Sequence, residues 1–125
     1  RCAFMVEELG EFFEAYGMLE AASTMRVVRT RFIEGRYRDP HGRPSLEKAA
    51  DALGDLAYVV LGTAHFKGLP WDDIWAEIQR ANMQKERASS ASQSSRRSSL
   101  DVVKPEGWKP PNHLPALHRW ANDPS

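Results

Sequence analysis

Val6-Glu7-Glu8-Leu9-Gly10-Glu11-Phe12-Phe13-Glu14 sets four carboxylates on one short, apolar-rich segment. At about 100° per residue, Met5, Val6, Leu9, Phe12, Phe13 and Tyr16 form one apolar stripe, so the segment reads as an amphipathic helix. Glu7, Glu11 and Glu14 fall opposite the stripe, and Glu8 sits at its border. Glu8 and Glu11 are neighbours on a helix surface, as are Glu7 and Glu11, and like charges at these spacings repel. A solvated acidic face is one outcome of such a pattern. A divalent cation is the other, because hard ions such as Mg²⁺ take carboxylate oxygens.

The second informative stretch begins at Ser45, a good N-cap, and runs helically through Phe66 to a stop at Gly68. Its first half is polar on one side, where Glu47, Asp51 and Asp55 are spaced four apart and Tyr58 lies close to their face. Its second half (Leu56, Ala57, Tyr58, Val59, Val60, Leu61, Ala64) is apolar nearly all round, which predicts a central, buried helix. Carboxylates on so apolar a helix are costly to bury unless paired or metal-bound. Salt bridges to Arg29 or Arg31 would meet that need. So would a facing acidic helix, since two carboxylate helices across a bundle make a cage of hard oxygen ligands.

Between these stretches, residues 21–33 read as another helix, with Gly17 a break before it. Six arginines between Arg26 and Arg43 stand against Glu34 and Asp39; they suit a solvated face and turn, a phosphate, or the acidic helix. Residues 36–44 are a loop by their Pro and Gly content. Leu69-Pro70 opens a last helix that is expected to end near Lys85, with Asp72 and Asp73 at its positive end. Asn82 and Lys85 share a face there, an amide and an ammonium suited to a base or sugar and a phosphate; Lys85 also suits the helix dipole.

Residues 86–99 are Ser- and Arg-rich and read as a flexible linker. Residues 100–125 read as an extended, Pro-rich tail whose Trp108, Leu114, Leu117 and Trp120 dock on the helices. Trp71, Trp75, Trp108 and Trp120 are expected in the core, as is His65. There is no strand-period pattern, Gly-rich phosphate loop, zinc-type spacing or internal repeat. The expected fold is all-α: a bundle of about four helices over residues 1–85, then linker and tail.

A chain of 125 residues with 42% hydrophobic content suits one modest core. Zero formal net charge argues against general polyanion binding, and so against the nucleic-acid role that the arginines of residues 26–43 would suggest. Cys2, the single cysteine, excludes an internal disulfide and suits a reducing compartment. The longest nearly uncharged run, Leu56 to Phe66, is too short to span a bilayer. A cytoplasmic protein with no membrane partner is expected.

Four stretches together resemble a known family. Glu7-Glu8-Leu9-Gly10-Glu11 matches the EExxE motif of the MazG-like all-α nucleoside triphosphate pyrophosphohydrolases. Asp51-Ala52-Leu53-Gly54-Asp55, followed by Leu-Ala-Tyr-Val-Val-Leu-Gly, resembles the second acidic motif and its helix. Ala81-Asn82-Met83-Gln84-Lys85 resembles the Asn-containing segment, and residues 103–111 a C-terminal stretch common in small members. Two departures stand out. The second motif is usually ExxD, whereas the residue three before Asp55 is Ala52, so Asp51 or Glu47 would fill the ligand role. The gap between the acidic motifs is also long, filled by the Arg-rich segment.

The resemblance implies that Glu8, Glu11, Asp51 and Asp55 hold Mg²⁺ (or Mn²⁺) against a triphosphate, with Glu7 orienting or deprotonating the attacking water. Glu7, Glu8, Glu11 and Asp55 would be the catalytic set. Lys85 would meet phosphate, Asn82 the base or sugar, and Tyr58 would stack on the base. The products would be a nucleoside monophosphate and pyrophosphate, in sanitation or balance of the (d)NTP pool. A phosphoribosyl-ATP hydrolase of histidine synthesis is a second reading within the family. A helical nucleotide-binding or protein-interaction module without catalysis is a reading of another class. The family's dimers and tetramers, built on four-helix bundles, imply a homodimer or homotetramer.

Overall fold

The computed structural model describes residues 1–37, 42–90 and 101–122. The expected all-α character holds: the described residues form five helices and one sheet of two very short strands. The chain divides into two compact units, Arg1–Pro44 and Ser45–Ser125.

The first unit is a helical hairpin of α1 (Cys2–Ala15) and α2 (Leu19–Ile33). Gly17 makes the turn at φ +75°, a left-handed conformation open to glycine without steric cost. The helices approach closely where Gly10 meets α2: a Cβ on Gly10 would stand 3.1 Å from Cβ of Met25. Gly10 and Ala22 are both buried there. The apolar stripe of α1 is only half covered, with Met5, Leu9, Phe12 and Tyr16 each more than 40% exposed.

The second unit begins with α3 (Leu46–Phe66), whose N-cap Ser45 accepts a hydrogen bond from the Lys48 amide at 3.3 Å. The expectation of a buried central helix is corrected: residues 46–62 are all exposed, with Tyr58 at 79% and Val59 at 61%. His65 is exposed as well. The physical reason is a shortage of partners within the chain. Its buried apolar residues among those described are alanines (Ala22, Ala64, Ala81, Ala88 and Ala116), and no large side chain is fully buried. Apolarity in a sequence reports a need for cover and not what supplies it.

α3 ends at Gly68, φ +63°, where a Cβ would stand 2.9 Å from Cζ2 of Trp120. Two independent constraints thus demand glycine. Gly68→Ala is expected to cost about 1–2 kcal/mol in backbone conformation alone, before any displacement of Trp120. Thermal unfolding should show a midpoint lowered by roughly 5 °C or more; an unchanged midpoint would mean that Trp120 does not dock at Gly68.

α4 (Trp71–Met83) follows Pro70, with Asp72 and Asp73 in its first turn, as the sequence predicts. Trp71 and Trp75 stack with ring centroids 6.2 Å apart, but neither is buried, and Trp108 and Trp120 are also partly exposed. The expectation of core tryptophans is corrected accordingly. The C-terminal segment is held on α4 by a polar clamp. Arg80 donates to Glu77 from Nε at 3.1 Å and from Nη2 at 3.0 Å, and Nη2 also donates to the Pro110 carbonyl at 3.1 Å. The Asn112 amide donates to Glu77 at 3.2 Å, and Arg119 donates to Asp73 at 2.8 Å.

These donors hold the Glu77 carboxyl below its ordinary value of 4.5, the Arg80 hydrogen bond first among them and the Asn112 amide second. A depressed folded value means that the stabilisation is present above the ordinary value and is lost as pH falls through the folded one. Glu77→Gln should therefore flatten the loss of thermal stability below pH 4.5; an acid limb identical to the parent's would contradict this clamp.

Residues 114–122 are not extended as expected but form a further helix, α5 (Leu114–Asn122). The Asn112 side chain accepts from the Leu114 amide at 3.2 Å, and Pro115 falls in the first turn, where no intrahelical N–H is lost. The short strands β1 (Glu86–Arg87) and β2 (Val102–Val103) pair antiparallel, Glu86 with Val103 and Arg87 with Val102. The Ala88 amide continues the register to the Asp101 carbonyl at 3.0 Å. Residues 91–99 of the expected linker, and residues 38–41 of the Arg-rich loop, lie outside the described residues.

Candidate functional site

The acidic face of α1 looks onto α2. Between them lies a cleft of about 250 Å³ lined by Val6, Glu7, Gly10, Glu11, Glu14, Met25, Arg26 and Arg29. The absence of a side chain at Gly10 opens its floor, and the one-turn spacing of Glu7, Glu11 and Glu14 lines its wall. Arg29 reaches Glu7 at 3.3 Å, both half-buried, and Arg26 reaches Glu14 at 3.1 Å near the surface. Of the readings for the arginines, the acidic helix is the one these two take. Arg36 pairs with Glu34 at 2.6 Å. Arg29, one of the arginines proposed as partners for Asp51 or Asp55, thus serves Glu7. The Arg29 Nε is buried without a hydrogen-bond partner among the described residues.

Glu11 is exposed and lines the cleft, whereas Glu8 is exposed but outside the lining. The border position read from the helical wheel accounts for that difference. Asp51 and Asp55 occupy one exposed face of α3 in the second unit, and Tyr58 near that face is 79% exposed. Glu47 is in the first turn of the same helix. Among the described residues, no group of three or more His, Cys, Asp or Glu side chains stands ready to hold a metal ion. Taken helix by helix, the acidic residues of α1 and those of α3 are carboxylate-oxygen donors, which suit Mg²⁺ or Mn²⁺ and not a soft metal.

At the other end of the second unit, Asn82 is exposed at the close of α4 and its carbonyl accepts from the Lys85 amide at 3.1 Å. The Lys85 ammonium lies 5.5 Å from the ring centroid of Trp108, and that of Lys104 lies 4.5 Å from the same ring. The Trp108 Nε1 donates to the Ala81 carbonyl at 2.7 Å. Sequence reasoning missed Lys104 and cast Trp108 as core. The one available signal was the placement of Lys104 and Trp108 within the family-like stretch of residues 103–111. Arg29 was read as part of a basic excess and as a candidate partner for the α3 carboxylates, not for Glu7 in particular.

No helix among the described residues is long and apolar enough to cross a membrane. Searches of curated proteins and of solved structures each found no match. Residues 1–82, which carry both acidic motifs, match the family described as phosphoribosyl-ATP pyrophosphohydrolase. That match spans well over half of the chain, and its helical character agrees with the fold described above. The chain belongs to the phosphoribosyl-ATP pyrophosphohydrolase family, hydrolases of phosphoric anhydrides within the MazG-like all-α superfamily.

Proposed function

We propose that the protein is a Mg²⁺-dependent nucleotide pyrophosphohydrolase that cleaves (d)NTPs to (d)NMP and pyrophosphate in sanitation or balance of the nucleotide pool. The observation that carries this reading is the acidic face of α1, whose EExxE residues lie within the family match. Glu8, Glu11, Asp51 and Asp55 are the ligands we assign; Mn²⁺ suits the same oxygens. Bound there, the metal supplies charge neutralisation on the phosphates and a more acidic water. Glu7 accepts a hydrogen bond from the attacking water and takes its proton as oxygen bonds to the α-phosphorus. The α–β bridging bond breaks, and pyrophosphate leaves with the bridging oxygen. Arg29 holds Glu7 in place by the 3.3 Å contact. Lys85 meets the phosphates, Asn82 the base or sugar, and Tyr58 offers an exposed ring for stacking. A homodimer or homotetramer would cover the apolar face of α3.

The family match gives weight to phosphoribosyl-ATP as an alternative substrate. A panel of NTPs, dNTPs and phosphoribosyl-ATP, compared by kcat/KM, separates the two. The highest value on a (d)NTP supports pool sanitation, whereas the highest value on phosphoribosyl-ATP replaces it with the biosynthetic reaction. A second reading is a binding module without catalysis. It is favoured by Ala52 in place of the usual acidic residue and by the pairing of Glu7 and Glu14 with arginines. Nucleotide binding without turnover across the whole panel would establish it.

A further inference from the structure

Lys85 and Lys104 come from opposite sides of the Ser/Arg-rich segment, and the small sheet brings them together. The ladder pairs Glu86 with Val103 and Arg87 with Val102; one step outward, the same register sets Lys85 opposite Lys104. Like charges directly across an antiparallel pair repel. Among the described residues, neither ammonium is paired with a carboxylate. Both instead lie by the Trp108 ring, at 5.5 Å and 4.5 Å from its centroid, where the negative face of the indole attracts a cation. The ring is itself fixed, because its Nε1 donates to the Ala81 carbonyl at 2.7 Å, on the turn of α4 that carries Asn82. Two ammoniums thus lie by one ring anchored to α4, beside an exposed amide.

A ring quadrupole offsets only part of the repulsion between two cations. A multiply charged anion offsets far more, and each ammonium brings up to three donors to it. Both lysines lie beyond residue 82, where the family match ends. We propose that Lys85 and Lys104, set by Trp108, form a clamp for a pyrophosphate group, whether the β,γ-phosphates of a nucleotide or the released product. The clamp itself stands on the geometry; its use in catalysis rests on the hydrolase reading above.

The test is calorimetric titration of the full chain, with Mg²⁺ present throughout, using inorganic pyrophosphate and an α,β-methylene dNTP as separate probes. Lys104→Gln and Lys85→Gln are each expected to weaken both probes about tenfold, the effect of losing a hydrogen bond to a charged group. Lys104→Arg should stay within about twofold of the parent, because it keeps the charge and the ring contact. Lys48→Gln, which removes a charge at the start of α3, should leave binding unchanged. Weakening of the nucleotide analogue alone would assign the clamp to substrate, and weakening of pyrophosphate alone to product. Parental affinity for both probes in folded Lys104→Gln would overturn the proposal, as would equal weakening by Lys48→Gln. Should Lys104→Gln not fold, Lys85→Gln carries the same test, since the clamp requires both lysines. Pyrophosphate binding that depends on Lys104 in a protein without turnover would remove the hydrolase reading and leave the clamp standing. Turnover with Lys104→Gln indistinguishable from the parent would do the reverse.

Discussion

Glu8→Gln and Asp55→Asn are each expected to lower pyrophosphohydrolase activity by at least about a hundredfold. Removal of even an outer partner of a metal ligand commonly costs 10–100-fold, and a ligand itself costs no less. Both changes keep the shape of the side chain and remove its charge, so the metal loses a hard, anionic donor. Both residues are exposed on their helices, so neither change opens a cavity. The melting midpoint should therefore stay near the parent's while kcat/KM falls. Glu14→Gln is the matched comparison: Glu14 shares the acidic face but pairs with Arg26 near the surface, where an ion pair contributes about 1 kcal/mol or less. A small effect at Glu14 and a large one at Glu8 and Asp55 would separate ligands from a general acidic face. Parental turnover in Glu8→Gln or Asp55→Asn would remove that residue from the site.

Leu53→Asp combined with Val60→Asp is expected to convert the protein to a monomer and to lower its stability sharply. The two residues are seven apart on the face of α3 away from Asp55, and each is more than half exposed in the single chain. Covering a Leu or Val side chain contributes about 1.5–3 kcal/mol. A run from Leu53 to Leu61 left open therefore forgoes a large share of the marginal stability of a small domain. With only alanines among the buried apolar residues of those described, the described chain supplies little to replace it. In the proposed homodimer or homotetramer, a second copy would bring the same apolar face and cover it by a self-complementary contact. Sedimentation should show the parent as a dimer or tetramer, with an unfolding midpoint that rises with concentration. The double variant should sediment as a monomer. A parent that stays monomeric, with a midpoint independent of concentration, would show that no second copy covers α3.

The helices were legible because their boundaries are written in local chemistry. Ser45 caps α3, Gly68 ends it, and Pro70 with Asp72 and Asp73 opens α4, all as the sequence predicts. α5 was not legible: Pro115 was read as a sign of extended chain, yet the first turn of a helix tolerates it. β1 and β2 were invisible because two residues carry no period, and their pairing depends on a return of the chain that no local signal announces. Charge partners were legible only as possibilities of sign. That Arg29 meets Glu7 is set by the register of α1 against α2, through the close approach of Gly10 to Met25. The same holds for Lys85 and Lys104, whose meeting depends on strand register. The acidic residues themselves were plain from spacing, since a fixed helical period sets which of them share a face.

The most direct test of the central claim is the product balance of dNTP hydrolysis by the purified chain with and without Mg²⁺. The expected result is one pyrophosphate for each nucleoside monophosphate with the metal present, and no turnover once a chelator has removed it. Orthophosphate in place of pyrophosphate, or turnover that persists after chelation, would contradict the mechanism assigned to Glu8, Glu11, Asp51 and Asp55.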